Sequence, residues 1–171
     1  YYDEFKNKVI DMTITTERPT RADELVVSAR IYRQSNRSLR NDNTERFTLH
    51  ACDDSLLIDA QTLVSRSWKC VTPDVIVGEV LEGCLGVDPA KLKILPKPGP
   101  SRDYIAQNIH PLQVISQQAT VALDGMEPSY LHYMTYEDMD IGDPRGTHYF
   151  RSLKDMSEAG IGEIVELIYS V

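Results

Sequence analysis

The chain has 171 residues, 42% of them hydrophobic and 26% charged, with a net charge of −8. That length suits one ordinary domain or two small ones with real cores, and no apolar run approaches the length needed to cross a bilayer. Residues 1–46 carry nine Lys/Arg against eight Asp/Glu and the remainder nine against eighteen, an acidic balance that argues against a nucleic-acid reader, because phosphate binding needs a basic surface.

In chain order, Lys8 to Thr16 alternates loosely and predicts a strand that ends at Arg18-Pro19. Glu24 to Gln34 predicts a second strand, with Val27, Ala29 and Ile31 on its more apolar side. Gln34 to Asn43 reads as a polar loop with Asn and Asp supplying turn chemistry, and Arg46 to Cys52 as a third strand. Asp53-Asp54-Ser55 caps a short helix running to Ala60, and Leu63 to Cys70 predicts another strand, which carries the only Trp. Thr72-Pro73-Asp74 opens a better helix: a capping residue, a proline where the missing N–H is no loss, and an acid at the positive dipole end. Val77, Val80, Leu81 and Cys84 form its stripe, and Gly86 closes it. Lys91 to Pro100, broken by three prolines, reads as a strand edge entering a stiff linker.

His110-Pro111 is a further helix entry. Leu112, Ile115, Ala119, Ala122 and Leu123 form one face of that helix, and Gly125 marks its stop. Tyr130 to Tyr136 and Thr147 to Ser152 are aromatic, β-rich segments flanking a polar connection, a strand–loop–strand signal. The fold class that follows is α+β, with strands first and then a helix–strand–helix–hairpin module, a boundary between units falling near residues 53–70. No internal repeat is visible in the sequence. The chain shows no secretion leader, and from Tyr1 to its apolar end (Glu163 to Val171) it reads as a piece of something longer.

Candidate chemistry is sparse. Cys52, Cys70 and Cys84 are odd in number and form no CxxC pair, which suits a reducing compartment better than a disulfide framework. His50, Cys52, Asp53 and Asp54 cluster as a nucleophile–base or metal pattern would, but on a strand His50 and Cys52 share a face without a third orienting group. A buried thiol and a strand-end cap explain them. His132 and His148 face each other across the ribbon in this reading, and His110 approaches from the helix start; three imidazoles suit zinc, yet helix entry and alternating strand positions account for them without a metal. Glu137, Asp138, Asp140 and Asp143 lack the spacing of an EF-hand, so a solvated loop is expected. Tyr130, Tyr133, Tyr136, Tyr149 and Phe150 suit a cross-strand ladder better than base stacking, given no basic groove. No GxGxxG, P-loop, GxSxG or HExxH pattern occurs. The expectation is no catalytic residue, no cofactor and no metal.

Several strings carry more. Trp68-Lys69-Cys70-Val71-Thr72-Pro73 followed by Ile76-Val77 and Val80-Leu81 is one of them. The others are Asn108-Ile109-His110-Pro111-Leu112 with Val114-Ile115, then Ser129-Tyr130-Leu131-His132-Tyr133, and Phe150-Arg151-Ser152-Leu153. In this order, across about residues 8–156, they resemble the baseplate hub proteins of contractile-tailed, T-even-like bacteriophages, most closely the cyanophage versions. The resemblance implies a virion structural protein and not an enzyme: a homotrimeric ring that joins the tail tube to the central spike. DNA meets it only in transit through the channel, no membrane is bound, and assembly takes place in the host cytoplasm. It also implies that residues 1–52 are closing strands of a partial tube-type barrel, 53–156 an α+β hub domain and 157–171 a segment leading onward. The N-terminal half of that barrel and any second barrel have no counterpart here, and the Gly160/Gly162 tail has no counterpart in the family.

Overall fold

Prolines at helix starts and left-handed residues at strand ends cut this chain into short elements of an α+β fold. The computed structural model describes residues 8–17, 22–41, 44–95, 99–136 and 145–159. Strands β1 (Val9–Glu17), β2 (Ala22–Asn41) and β3 (Thr44–Cys52) make one antiparallel sheet in the order β1-β2-β3. Then come α1 (Asp54–Asp59), β4 (Val64–Val71), α2 (Pro73–Gly83), β5 (Leu92–Ile94) and β6 (Arg102–Ile109). The described chain closes with α3 (Pro111–Val121), β7 (Tyr130–Thr135), β8 (Thr147–Ser152) and α4 (Leu153–Ala159). Among the described residues no helix is long and apolar enough to cross a membrane. The acidic segment 137–143 and the Gly160/Gly162 tail lie outside the described residues.

The loop expected from Gln34 to Asn43 is instead strand as far as Asn41. Its polar residues are accommodated by irregular pairing with β3 between Ser35 and Ser38, where Asn36 takes a φ of 53°, a left-handed conformation that Asn tolerates. Arg37 adds a two-pronged bond to Glu45 across the strands, 2.8 and 3.1 Å long. Polarity here marks exposure, not a turn. The 20-residue β2 is divided between two neighbours: Ala22–Arg30 pairs with β1, and Arg30–Asn41 pairs with β3 on the other edge. Each half therefore has one edge with no strand partner among the described residues.

After α1 the structure contains a repeat that the sequence conceals. Strands β4 and β6 are both eight residues long and helices α2 and α3 both eleven. The offset is 38 residues throughout (102 − 64 for the strands, 111 − 73 for the helices, 130 − 92 for the starts of β7 and β5). Cys70 and Asn108, related by that offset, both adopt left-handed φ values, 51° and 54°. Each is followed by an apolar residue, an N-cap and a helix-opening proline. Polar contacts repeat as well. Asp103 accepts from the Cys70 N–H (2.8 Å) as Ser65 does from the Asn108 N–H (3.2 Å). Arg66 meets Glu79 (2.7 Å) as Tyr104 meets Gln117 (2.6 Å). Strands β4 and β6 pair antiparallel with Ser67 opposite Ile105, themselves equivalent positions, so a pseudo-twofold axis passes through that pair. The absence of a visible repeat is thus corrected: geometry and burial recur where residue identity does not.

Helix α2 touches β4 and β5 and helix α3 touches β6 and β7, so the helix pair lies between the β4–β6 ribbon and a second sheet ordered β5-β8-β7. Ile94 and its repeat partner His132 both lie opposite Phe150 of the central strand β8. The core is built from Val64, Trp68, Ile76, Val77, Val80, Leu81, Val114, Ile115 and Phe150. Trp68 satisfies its indole N–H on Glu79 at 2.9 Å, as a buried Trp must. Helix α3 buries Pro111, Val114, Ile115 and Gln118, a face rotated from the expected one, with Leu112 and Ala119 at its margin. It ends at Val121, and Ala122 is extended (ψ 137°) well before Gly125.

Candidate functional site: a buried histidine pair at the joint between sheets

Asp53 leaves β3 and caps α1, accepting the Ser55 N–H at 2.6 Å. Ser55 Oγ lies 3.3 Å from His148 Nε2, and His148 Nδ1 lies 3.1 Å from His132 Nε2. His148 stands opposite Met134 and His132 opposite Phe150, so the two imidazoles are diagonal neighbours on one face. They stack with centroids 5.4 Å apart and planes 16° off parallel. Two proton orders satisfy the Ser55–His148–His132 chain: His132 Nε2–H donates to His148 Nδ1 and His148 Nε2–H to Ser55 Oγ, or the Ser55 hydroxyl donates to His148 Nε2 and His148 Nδ1–H to His132 Nε2.

Burial sets the electrostatics. His132 is pushed down to about 4, chiefly by burial and secondly by its neighbour His148, and burial likewise brings His148 down to about 4. Burial raises the Asp53 carboxyl, opposed by the Ser55 and Gly146 groups that face it. The Cys52 thiol is raised by burial and then by Asp53 and Asp54, away from the thiolate a nucleophile needs. The Tyr136 phenol is raised by burial, then by Asp53 and Cys52. Gly146 is required by close approach, since a Cβ there sits 2.5 Å from the Thr135 carbonyl oxygen.

The other sequence candidates go elsewhere. His50 Nε2 bonds Ser35 Oγ at 2.8 Å, with Tyr32 beside its ring, so it serves the β2–β3 pairing. His110 stands at the start of α3 with Nδ1 2.8 Å from the Asp59 carbonyl, bracing α1 against α3. The tri-histidine arrangement does not form: only His132 and His148 meet, and the described residues contain no group of three metal-ligating side chains. The aromatic ladder is present, with Tyr133 on Tyr149 at 5.0 Å and Tyr130 on Phe150 at 5.1 Å. Ser55 and Gly146 were not singled out by sequence. Ser55 was legible as part of a cap, but nothing local announces a partner 93 residues away.

Ser55, His148 and His132 follow the order of nucleophile, base and orienting group. Ser55 and His148 are only 4% and 1% exposed, so no carbonyl reaches the hydroxyl in this arrangement. Its physical work is to fasten α1 to β8 and β8 to β7. Compared with protein-family models, curated proteins and solved structures, the chain matches none.

Proposed function

We propose that this chain is a structural component of the baseplate hub of a contractile phage tail, linking the tail tube to the central spike and lining part of the channel for DNA. The observation that carries the reading is the divided pairing of β2, with a different neighbour on each half and an edge left over on each among the described residues. Open edges of this length are aggregation hazards in a lone protein and natural joints in a closed ring. The strings that resemble hub proteins occur in chain order at β4–α2, β6–α3 and β7–β8. Acidic excess beyond residue 46 suits a wall that repels DNA and lets it pass.

Native mass spectrometry of the full-length protein tests the proposal. A homotrimer is expected. A stable monomer that binds a separable protein ligand would instead make it a stand-alone interaction module.

A further inference from the structure

Among the described residues, the first sheet meets α1 and the end of β8 at a joint rich in groups that titrate. Arg30 of β2 pairs with Asp54 of α1, and Asp53 caps the same helix. Ser55 then leads through His148 to His132. The repeat provides an internal control: the position equivalent to His132 is Ile94, also opposite Phe150. The fold needs only an aliphatic group there, yet the second repeat spends that position on an imidazole bonded to another imidazole.

We propose that the Asp53–Ser55–His148–His132 chain is an acid-released clasp, which holds the first sheet to the helix-and-sheet body while both imidazoles are neutral and loosens when they take up protons. In the neutral state His148 donates one hydrogen bond and accepts one, in either proton order. When both rings are protonated, His148 Nδ1 and His132 Nε2 each carry a hydrogen, so the bond between them is lost and the rings repel at the atoms that now bond. Protons reach His132 along a groove of about 350 Å³ between α3 and β7, lined by Leu112, Ser116, Ala119, Thr120 and Leu131. Helix α3 has no charged residue to stabilise an imidazolium. On the other side stand Asp53, Cys52 and Tyr136, with Asp54 engaged by Arg30. Beyond Gly146, Lys91 Nζ donates to the Arg145 carbonyl and Arg145 to the Gly86 carbonyl, so both cations have partners outside the clasp. Asp53 opposes the release, because its raised carboxyl gains a proton in the fold before it does in the unfolded chain. The clasp stands apart from the hub reading and holds or fails without it.

Imidazole ¹⁵N spectra and hydrogen exchange on the 171-residue chain test it, together with His132→Gln, which keeps a donor without a charge, and His132→Ile, which copies the first repeat. At about pH 6 both wild-type rings should be neutral, although a free histidine is then largely charged. On acidification to about pH 5, amides of α1, β7 and β8 should exchange before those of α2 and α3. Unfolding of the wild type should take up about two protons in this range, and of either variant about one. An imidazolium at pH 6, exchange that accelerates uniformly, or equal proton uptake in wild type and variants overturns the clasp. Should neither variant fold, the wild-type spectra and exchange order still decide it.

Discussion

Gly146 and the two imidazoles show how single atoms decide the joint. Gly146→Ala should destabilise the chain by about 1–3 kcal/mol, because the added methyl meets the Thr135 carbonyl oxygen and the Met134 side chain; a denaturant titration reads this as a lower midpoint. The histidines give a stability dependence of definite sign. Their folded values, about 4, lie below the ordinary 6.5. Their contribution is therefore complete above pH 6.5 and is lost as pH falls toward 4, by on the order of 3 kcal/mol for the first proton taken up. Melting curves across that window should shift downward steadily in acid. Cys70 holds a left-handed φ that its repeat partner fills with Asn108, so Cys70→Asn should stabilise by about 0.5–1 kcal/mol, measured as a raised melting midpoint.

At the scale of elements, most of what the sequence announced is local chemistry. Pro73 and Pro111 open helices as the missing N–H dictates, and Asp53 caps α1 as its position implies. Three features were hidden for physical reasons. Strand β6 alternates weakly, since Ile105 points outward at 63% exposure while small Ala106 is buried. The extension of β2 consists of polar residues stabilised by cross-strand partners such as Arg37 and Glu45, which no single-strand pattern reveals. The repeat preserves spacing, burial and backbone conformation while exchanging Trp68 for Ala106 and Val80 for Gln118. Of the candidate site, His132 and His148 are legible as neighbours on paired strands, although they stand diagonal and not directly opposite. Ser55 became part of it only through tertiary packing, and His110 left it because the first turn of α3 stands against α1.

The whole molecule joins a well-packed body to a sheet that is only partly satisfied. The body closes around Phe150, Ile76, Leu81 and Ile115, all fully buried. The far end of the β2–β3 pairing exposes Asn36 to Ser38 and Thr44 to Thr48, and β2 fully extended reaches roughly 65 Å. Such a strand stabilises little by itself and much when neighbours complete its edges. Acid then acts on the joint between the two parts, where the clasp sits. For the proposed hub role, electron cryomicroscopy of contractile phage tails assembled with the full-length protein tests the assembly account most directly. The account predicts three copies in a ring at the baseplate end of the tail tube, with neighbouring strands paired along both halves of β2. Tails whose baseplate ring contains no density for this chain would contradict it.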